Sequence, residues 1–199
     1  MQKEYELTIG KLKRTLPIIP ITDTAAIASF VLLGDAELTR YAAQELAKRI
    51  NIPFDYLVTL ESKGIPLAQE LSMITHHPRY FVLRKSVKAY MRNPIAIGMR
   101  SITTDYHQQL VLDGCDAEQL RGKQVIIVDD VISTGGSLAS AEHLLKKVGA
   151  NVVQRCSILA EGRATSRDDC VFLNTLPVFG IVVSLWEILI LGESIDQEV

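Results

Sequence analysis

A chain of 199 residues with net charge −2 and 48% apolar residues has the size of one domain and a globular composition. It has neither the polarity of a disordered segment nor the basic stripe of a nucleic-acid binder. Its three cysteines, Cys115, Cys156 and Cys170, lack metal-ligand spacing and read as free thiols of a reducing cytoplasm. Residues 1–10 are polar and mixed in charge, unlike a signal peptide. Residues 176–191 are strongly apolar, but Pro177, Gly180 and Glu187 interrupt them short of a clean spanning length. They read as buried structure, and no membrane partner is expected.

In chain order, the first fifty residues hold one good helix at 36–50, after an irregular, proline-containing stretch at 15–24. Residues 55–60 (DYLVTL) make a short strand that stops at Glu61-Ser62-Lys63-Gly64. Pro66 then stands where a first helical turn tolerates it, and 67–75 carry helical spacing. A strand at 80–83 ends at Arg84-Lys85, and from 86 to 108 the apolar period is lost. A loop of that length inside a compact domain is usually functional or mobile. A strand resumes at 108–112, and 124–128 (QVIIV) is the clearest buried strand. Helical spacing over 138–148 ends at a Gly149 stop, and strands at 152–159 and 170–173 follow. Strand, turn, helix, strand, repeated, predicts an α/β fold, a parallel sheet with helices on both faces.

The chemistry is concentrated where QVIIV runs into Asp129-Asp130-Val131-Ile132-Ser133-Thr134-Gly135-Gly136-Ser137. Glycines let backbone N–H groups turn inward, and a helix start behind them favours a phosphate dianion. The hydroxyls of Ser133, Thr134 and Ser137 add donors. Two adjacent carboxylates repel each other, so a merely structural turn would favour neutral residues; they suit vicinal sugar hydroxyls and a magnesium ion held through water. A phosphate turn beside hydroxyl acceptors describes a ribose 5-phosphate. No P-loop, dinucleotide fingerprint or H-E-x-x-H motif competes.

The string VIIVDDVISTGGS resembles the signature of the type I phosphoribosyltransferases for phosphoribosyl pyrophosphate (PRPP). The resemblance covers residues 55–176 and implies a single domain over 1–199. Its twisted, mostly parallel sheet would be the core, with a small hood drawing on residues 1–50 and a C-terminal tail at 177–199. It implies that Asp129 and Asp130 hold the ribose hydroxyls and that Ser133, Thr134, Gly135, Gly136 and Ser137 clasp the 5-phosphate. Glu61, Ser62, Lys63 and Gly64 look like the family's pyrophosphate loop, which can adopt an unusual peptide geometry. Arg84, Lys85 and Lys88 would neutralise pyrophosphate. Residues 91–107 would be a lid that excludes water during transfer.

The resemblance further implies Mg2+ with PRPP, a purine base as co-substrate, and a cytoplasmic homodimer engaged in purine salvage. Adenine stands ahead of xanthine or hypoxanthine/guanine as the base. Two departures qualify this. Lys63 stands where adenine enzymes often carry arginine, and their glutamate-tyrosine lid pair is replaced by Thr103-Thr104-Asp105-Tyr106-His107. Asp105 or His107 is left as the stand-in acid/base. Around the base, Ala26, Ile27 and Phe179 are the candidates, although the adenine-contacting glycine and arginine are missing from 15–30. Trp186 reads as tail packing. His76, His77 and His143 have no partners at metal-ligand spacing and read as surface or helix-end residues. A competing reading is a regulator that binds PRPP or a nucleotide without turnover; the first fifty residues are too few and too weakly basic for an added DNA-binding domain.

Overall fold

In a computed structural model, which describes residues 3–98, 109–133 and 135–180, the chain opens with an antiparallel ladder. β1 (Glu4–Ile9) turns at Gly10, φ +57°, into β2 (Leu12–Thr22), and β3 (Ala25–Ala28) follows. The stretch expected to be irregular at 15–24 is therefore mostly strand. Its prolines conceal this. Pro17 closes the ladder to β1 opposite Glu4, and Pro20 lies at the register shift towards β3, positions where a strand tolerates a missing N–H.

α1 (Ala36–Ala47) starts at Asp35, whose carboxylate accepts from the Leu38 N–H. Arg14 of β2 reaches the same carboxylate at 2.5 Å and Glu37 at 2.9 Å, tying the ladder to the helix. The alternating elements follow as the sequence predicts: β4 (Tyr56–Leu60), α2 (Ile65–Ile74) and β5 (Tyr80–Leu83). The unpatterned stretch after β5 contains one unforeseen strand, β6 (Ile95–Gly98), which pairs antiparallel with β7 (Gln109–Leu112). α3 (Gly114–Leu120) was not foreseen either; Asp113 caps it by accepting from the Cys115 N–H.

β8 (Gln124–Ile132) and α4 (Gly136–Val148) lead to β9 (Asn151–Glu161), β10 (Cys170–Leu176) and β11 (Val178–Gly180). The main sheet runs β10-β9-β8-β4-β5, all parallel. Val125-Ile126-Ile127-Val128 is an unbroken apolar run because β8 is buried on both faces there. Ile126 and Val128 pack with Leu38, Leu46, Leu67 and Leu71 of α1 and α2. Val125 and Ile127 pack with Leu120, Leu144 and Leu145 of α3 and α4. Truncating one such leucine to alanine costs about 2–5 kcal/mol.

The order of strands decides where a ligand can go. From β4 the chain crosses outward to β5, whereas from β8 it proceeds the other way to β9 and β10. The crevice beyond the carboxyl ends of β4 and β8 is thus the point where the winding reverses, the site at which open α/β sheets bind ligands. The second sheet, β1-β2-β3-β11, stands beside it; Val178 of β11 lies opposite Ile27 of β3. No helix among the described residues is long and apolar enough to cross a membrane.

Candidate active site

Two loops meet at the reversal point. One leaves β4 as Glu61-Ser62-Lys63-Gly64, with a cis peptide between Glu61 and Ser62. The other leaves β8, which runs further than expected: the strand includes Asp129 and Asp130 and ends at Ile132. Contact between the two depends on Gly64. A Cβ there would lie 2.4 Å from Thr59 Oγ1, 3.0 Å from Asp129 Oδ1 and 3.1 Å from Asp129 Cα. Gly135 begins α4 with φ +84°, and a Cβ on Gly135 or Gly136 would meet nothing within 4 Å. Their backbone is open to whatever enters from above.

A cavity of about 520 Å³ occupies this crevice, a size suited to a small-molecule site. Asp129, Asp130, Lys63, Lys85, Ser133 and Ser137 are among its walls, as are Glu61, Ser62, Gly135 and Gly136. Asp130 is 2% exposed, yet it faces the cavity. Its Oδ2 has the Lys63 ammonium 3.3 Å away but no aligned hydrogen-bond donor. Asp129 Oδ1 accepts from the Asp130 N–H at 2.9 Å. Burial, and then the neighbouring Asp130 charge, push the Asp129 carboxyl up to about 7. One ammonium and one backbone N–H do not fully offset the crowding of two carboxyl groups.

They fit magnesium in one respect and limit it in another. The orphaned Asp130 oxygen and the strained Asp129 ionisation suit a cation. Yet no group of three His, Cys, Asp or Glu side chains gathers for a metal among the described residues. The remaining ligands would be water and phosphate oxygens, which is how Mg2+ is usually held beside one or two carboxylates.

The basic residues divide. Lys63 and Lys85 line the cavity. Arg84 is turned to Glu61, whose Oε2 accepts from Arg84 Nε at 3.2 Å and from the Lys85 N–H at 2.9 Å. The Lys85 N–H, more than Arg84, holds the Glu61 carboxyl below its ordinary range. Glu61 therefore fastens the two loops together. Lys88 donates to Ser86 Oγ at 2.7 Å and is not on the cavity wall. Thr134, Asp105, His107 and Trp186 lie outside the described residues.

A smaller cavity of about 220 Å³ adjoins the first and shares Lys63, Val131 and Ser133 with it. Its other walls are Ile27, Ala28 and Phe30 near β3, Leu176 at the end of β10, and Glu161 at the end of β9. Of the three residues expected around the base, only Ile27 is here. Ala26 and its partner Phe179 are not among its walls. Ala26 is fully buried, and Phe179 packs edge-on to Tyr5, ring centroids 6.0 Å apart, against the main core. Glu161 and Val131 were not singled out in the sequence. A rule was available for Glu161, since residues at the carboxyl ends of parallel strands face the crevice. The described histidines fall outside both cavities: His77 stacks on Phe54 at 4.1 Å, His76 has φ +58° just beyond α2, and His143 is exposed on α4.

Known proteins resemble this architecture. Residues 33–187 match the phosphoribosyl transferase domain family. A hypoxanthine/guanine phosphoribosyltransferase of Methanococcus voltae is 34% identical over 142 residues, 71% of each chain. Another protein of that description, from Methanocella arvoryzae, is 30% identical over 195 residues, 94% of this chain and 97% of its own. The adenine phosphoribosyltransferase of Thermoanaerobacter pseudethanolicus superposes with TM-score 0.58 at 21% identity, over 72% of this chain and 84% of that one. The crevice at the winding reversal is thus set in a known fold, and the chain belongs to the phosphoribosyl transferase domain family.

Proposed function

We propose that the protein transfers the 5-phosphoribosyl group of PRPP to hypoxanthine or guanine, releasing pyrophosphate and a nucleoside monophosphate. The observation that carries the reaction is the pairing, across one crevice, of the Asp129–Asp130 carboxylates with the open glycine turn at the head of α4. The preference for a 6-oxopurine over adenine rests on the curated relatives' names and on their identity of 30% or more.

In this reading the N–H groups of 135–137, with Ser133 and Thr134, hold the 5-phosphate. Asp129 and Asp130 accept from the ribose hydroxyls. The Ser62–Gly64 backbone, Lys63 and Lys85 surround the pyrophosphate, while Glu61 keeps Arg84 and Lys85 in place. Mg2+, carried in with PRPP and steadied by Asp129 and Asp130, supplies charge neutralisation at the leaving group. The protein's own contribution is positioning and preorganised charge around a developing sugar cation. Ile27, Phe30 and Val131 would flank the base in the smaller cavity. A cytoplasmic location belongs to the same reading, in keeping with the free thiols Cys115, Cys156 and Cys170; so does a homodimer, which sedimentation tests.

The test is pyrophosphate release from PRPP and Mg2+ with guanine, hypoxanthine, xanthine and adenine in turn. Release with guanine and hypoxanthine is expected. Release with adenine alone overturns the choice of base. PRPP binding without release from any purine makes the protein a sensor.

A further inference from the structure

When a purine ring nitrogen attacks C1 of the sugar, the ring must shed the proton carried on its imidazole part. The C1–N bond forms, the C1–O bond to pyrophosphate breaks with its electron pair leaving on pyrophosphate, and the base proton needs an acceptor. Among the described acids of the larger cavity, none is free to take it in this reading. Asp129 and Asp130 are committed to the sugar, and Glu61 is held by Arg84 and the Lys85 N–H. A base in the smaller cavity meets the sugar across the shared wall of Lys63, Val131 and Ser133, so an acid on that cavity's wall is placed to accept the proton.

Among the described residues, that cavity has one acidic wall residue, Glu161. We infer that Glu161 is the general base of the transfer, taking the imidazole proton of the bound purine into its carboxylate. The inference rests on the purine-transfer reading above.

Three features support it. Glu161 ends β9, which is hydrogen-bonded along β8 from Gln124 opposite Asn151 to Ile132 opposite Ala160, and Leu176 of β10 lies opposite Glu161. A strand end locked on both sides is a rigid mount. Ser133, on the wall common to both cavities, hydrogen-bonds the Glu161 side chain. A carboxylate has about four lone-pair sites, so one such bond fixes its orientation and leaves acceptors free. Finally, burial raises the carboxyl above its ordinary value, and the Ser133 bond offsets this in part. That direction brings a glutamate closer to the pKa of an effective base. Lys63 is the other charged residue on this wall, and its ammonium lies 3.3 Å from Asp130.

Glu161→Gln keeps the shape and removes the basicity. Its kcat should fall about a hundredfold, the usual scale for a lost general base, and to a similar extent with each purine used. The KM for PRPP should hold, and the acidic limb of the wild-type kcat–pH profile should vanish. A raised PRPP KM with unchanged kcat would overturn the inference, making Glu161 a support for the Ser133 turn. An unchanged kcat would overturn it too, as would loss of the acidic limb in Asp105→Asn and not in Glu161→Gln. Should Glu161→Gln not fold, Glu161→Asp carries the test: it keeps the acid, so the limb must persist at lower kcat, and a profile without it counts against the proposal. Wild-type pyrophosphate release separates the two readings. If no purine supports it, the transfer reading fails; if purines support it and Glu161→Gln is fully active, only the general base fails.

Discussion

The two adjoining cavities are built on different principles. The larger is walled by loops that leave two neighbouring strands of one parallel sheet, so its shape follows from where the winding reverses. Its polar groups are crowded to the point that Asp130 Oδ2 lacks an aligned donor. The smaller takes its walls from β3, β9 and β10, parts of two sheets joined only by tertiary packing, and most of them are apolar. In the proposed reading the larger cavity takes a sugar phosphate, which needs fixed charges and backbone N–H groups, and the reversal point offers a place for them. A heterocycle needs a slot whose lining can change without disturbing that place. Substitutions on the first wall should therefore act on every reaction alike, and those on the second should discriminate among bases.

The largest effect is expected at the acidic pair. Asp130→Asn should reduce kcat/KM for PRPP by about a hundredfold or more, the scale on which a preorganised charge matters, with the ranking of purines unchanged. Asp129 adds a pH signature. Its folded pKa is raised above the unfolded value of 3.8, so its contribution to stability is complete below that value and is lost as pH rises towards about 7. The urea midpoint of the ligand-free protein should fall between pH 5 and pH 8, and Asp129→Asn should flatten that fall. A slope that survives Asp129→Asn would show that another group titrates.

Next comes the seam between the loops. Gly64→Ala places a methyl group 2.4 Å from Thr59 Oγ1 and 3.1 Å from Asp129 Cα. Overpacking of this kind costs about 1–3 kcal/mol, and here it also drives apart the loops that leave β4 and β8. The melting temperature should drop and the KM for PRPP should rise together. Thr59 Oγ1 is buried without a hydrogen-bond partner, so Thr59→Ala in the Gly64→Ala background removes the worst contact and should restore part of the stability. No recovery would mean that the Asp129 backbone, rather than the threonine, sets the limit.

The same contrast explains what the sequence disclosed. The glycine turn after β8 was legible because its signal is local: an apolar run buried on both faces, two acids and a left-handed glycine fall within fifteen consecutive residues. So was the order of β4, α2, β5, β8, α4 and β9, where each apolar period is uninterrupted. The base side had no such local record. Pro17 and Pro20 made β2 look irregular although bulge and ladder end accommodate them. Glu161 lies two residues past the expected end of its strand, and nothing beside it in the chain marks it as facing a cavity. Phe179 was a candidate for the base through the family resemblance, and its direction depends on pairing with a strand some 150 residues earlier.

That pairing yields the smallest and most discriminating prediction. Ala26 and Ile27 are consecutive in β3 and point to opposite faces: Ala26 is fully buried opposite Phe179, and Ile27 lines the smaller cavity. Ile27→Ala removes apolar contact from the slot alone, and the KM for the base should rise by roughly tenfold or less, the scale of a few methylenes in a binding pocket. The KM for PRPP and the melting temperature should barely move. Ala26→Val instead presses two methyl groups into a closed core at about 1–3 kcal/mol, lowering the melting temperature while leaving the ranking of purines intact. If Ala26→Val altered that ranking and Ile27→Ala did not, β3 would present its other face to the base, and Phe179 would return as a candidate contact.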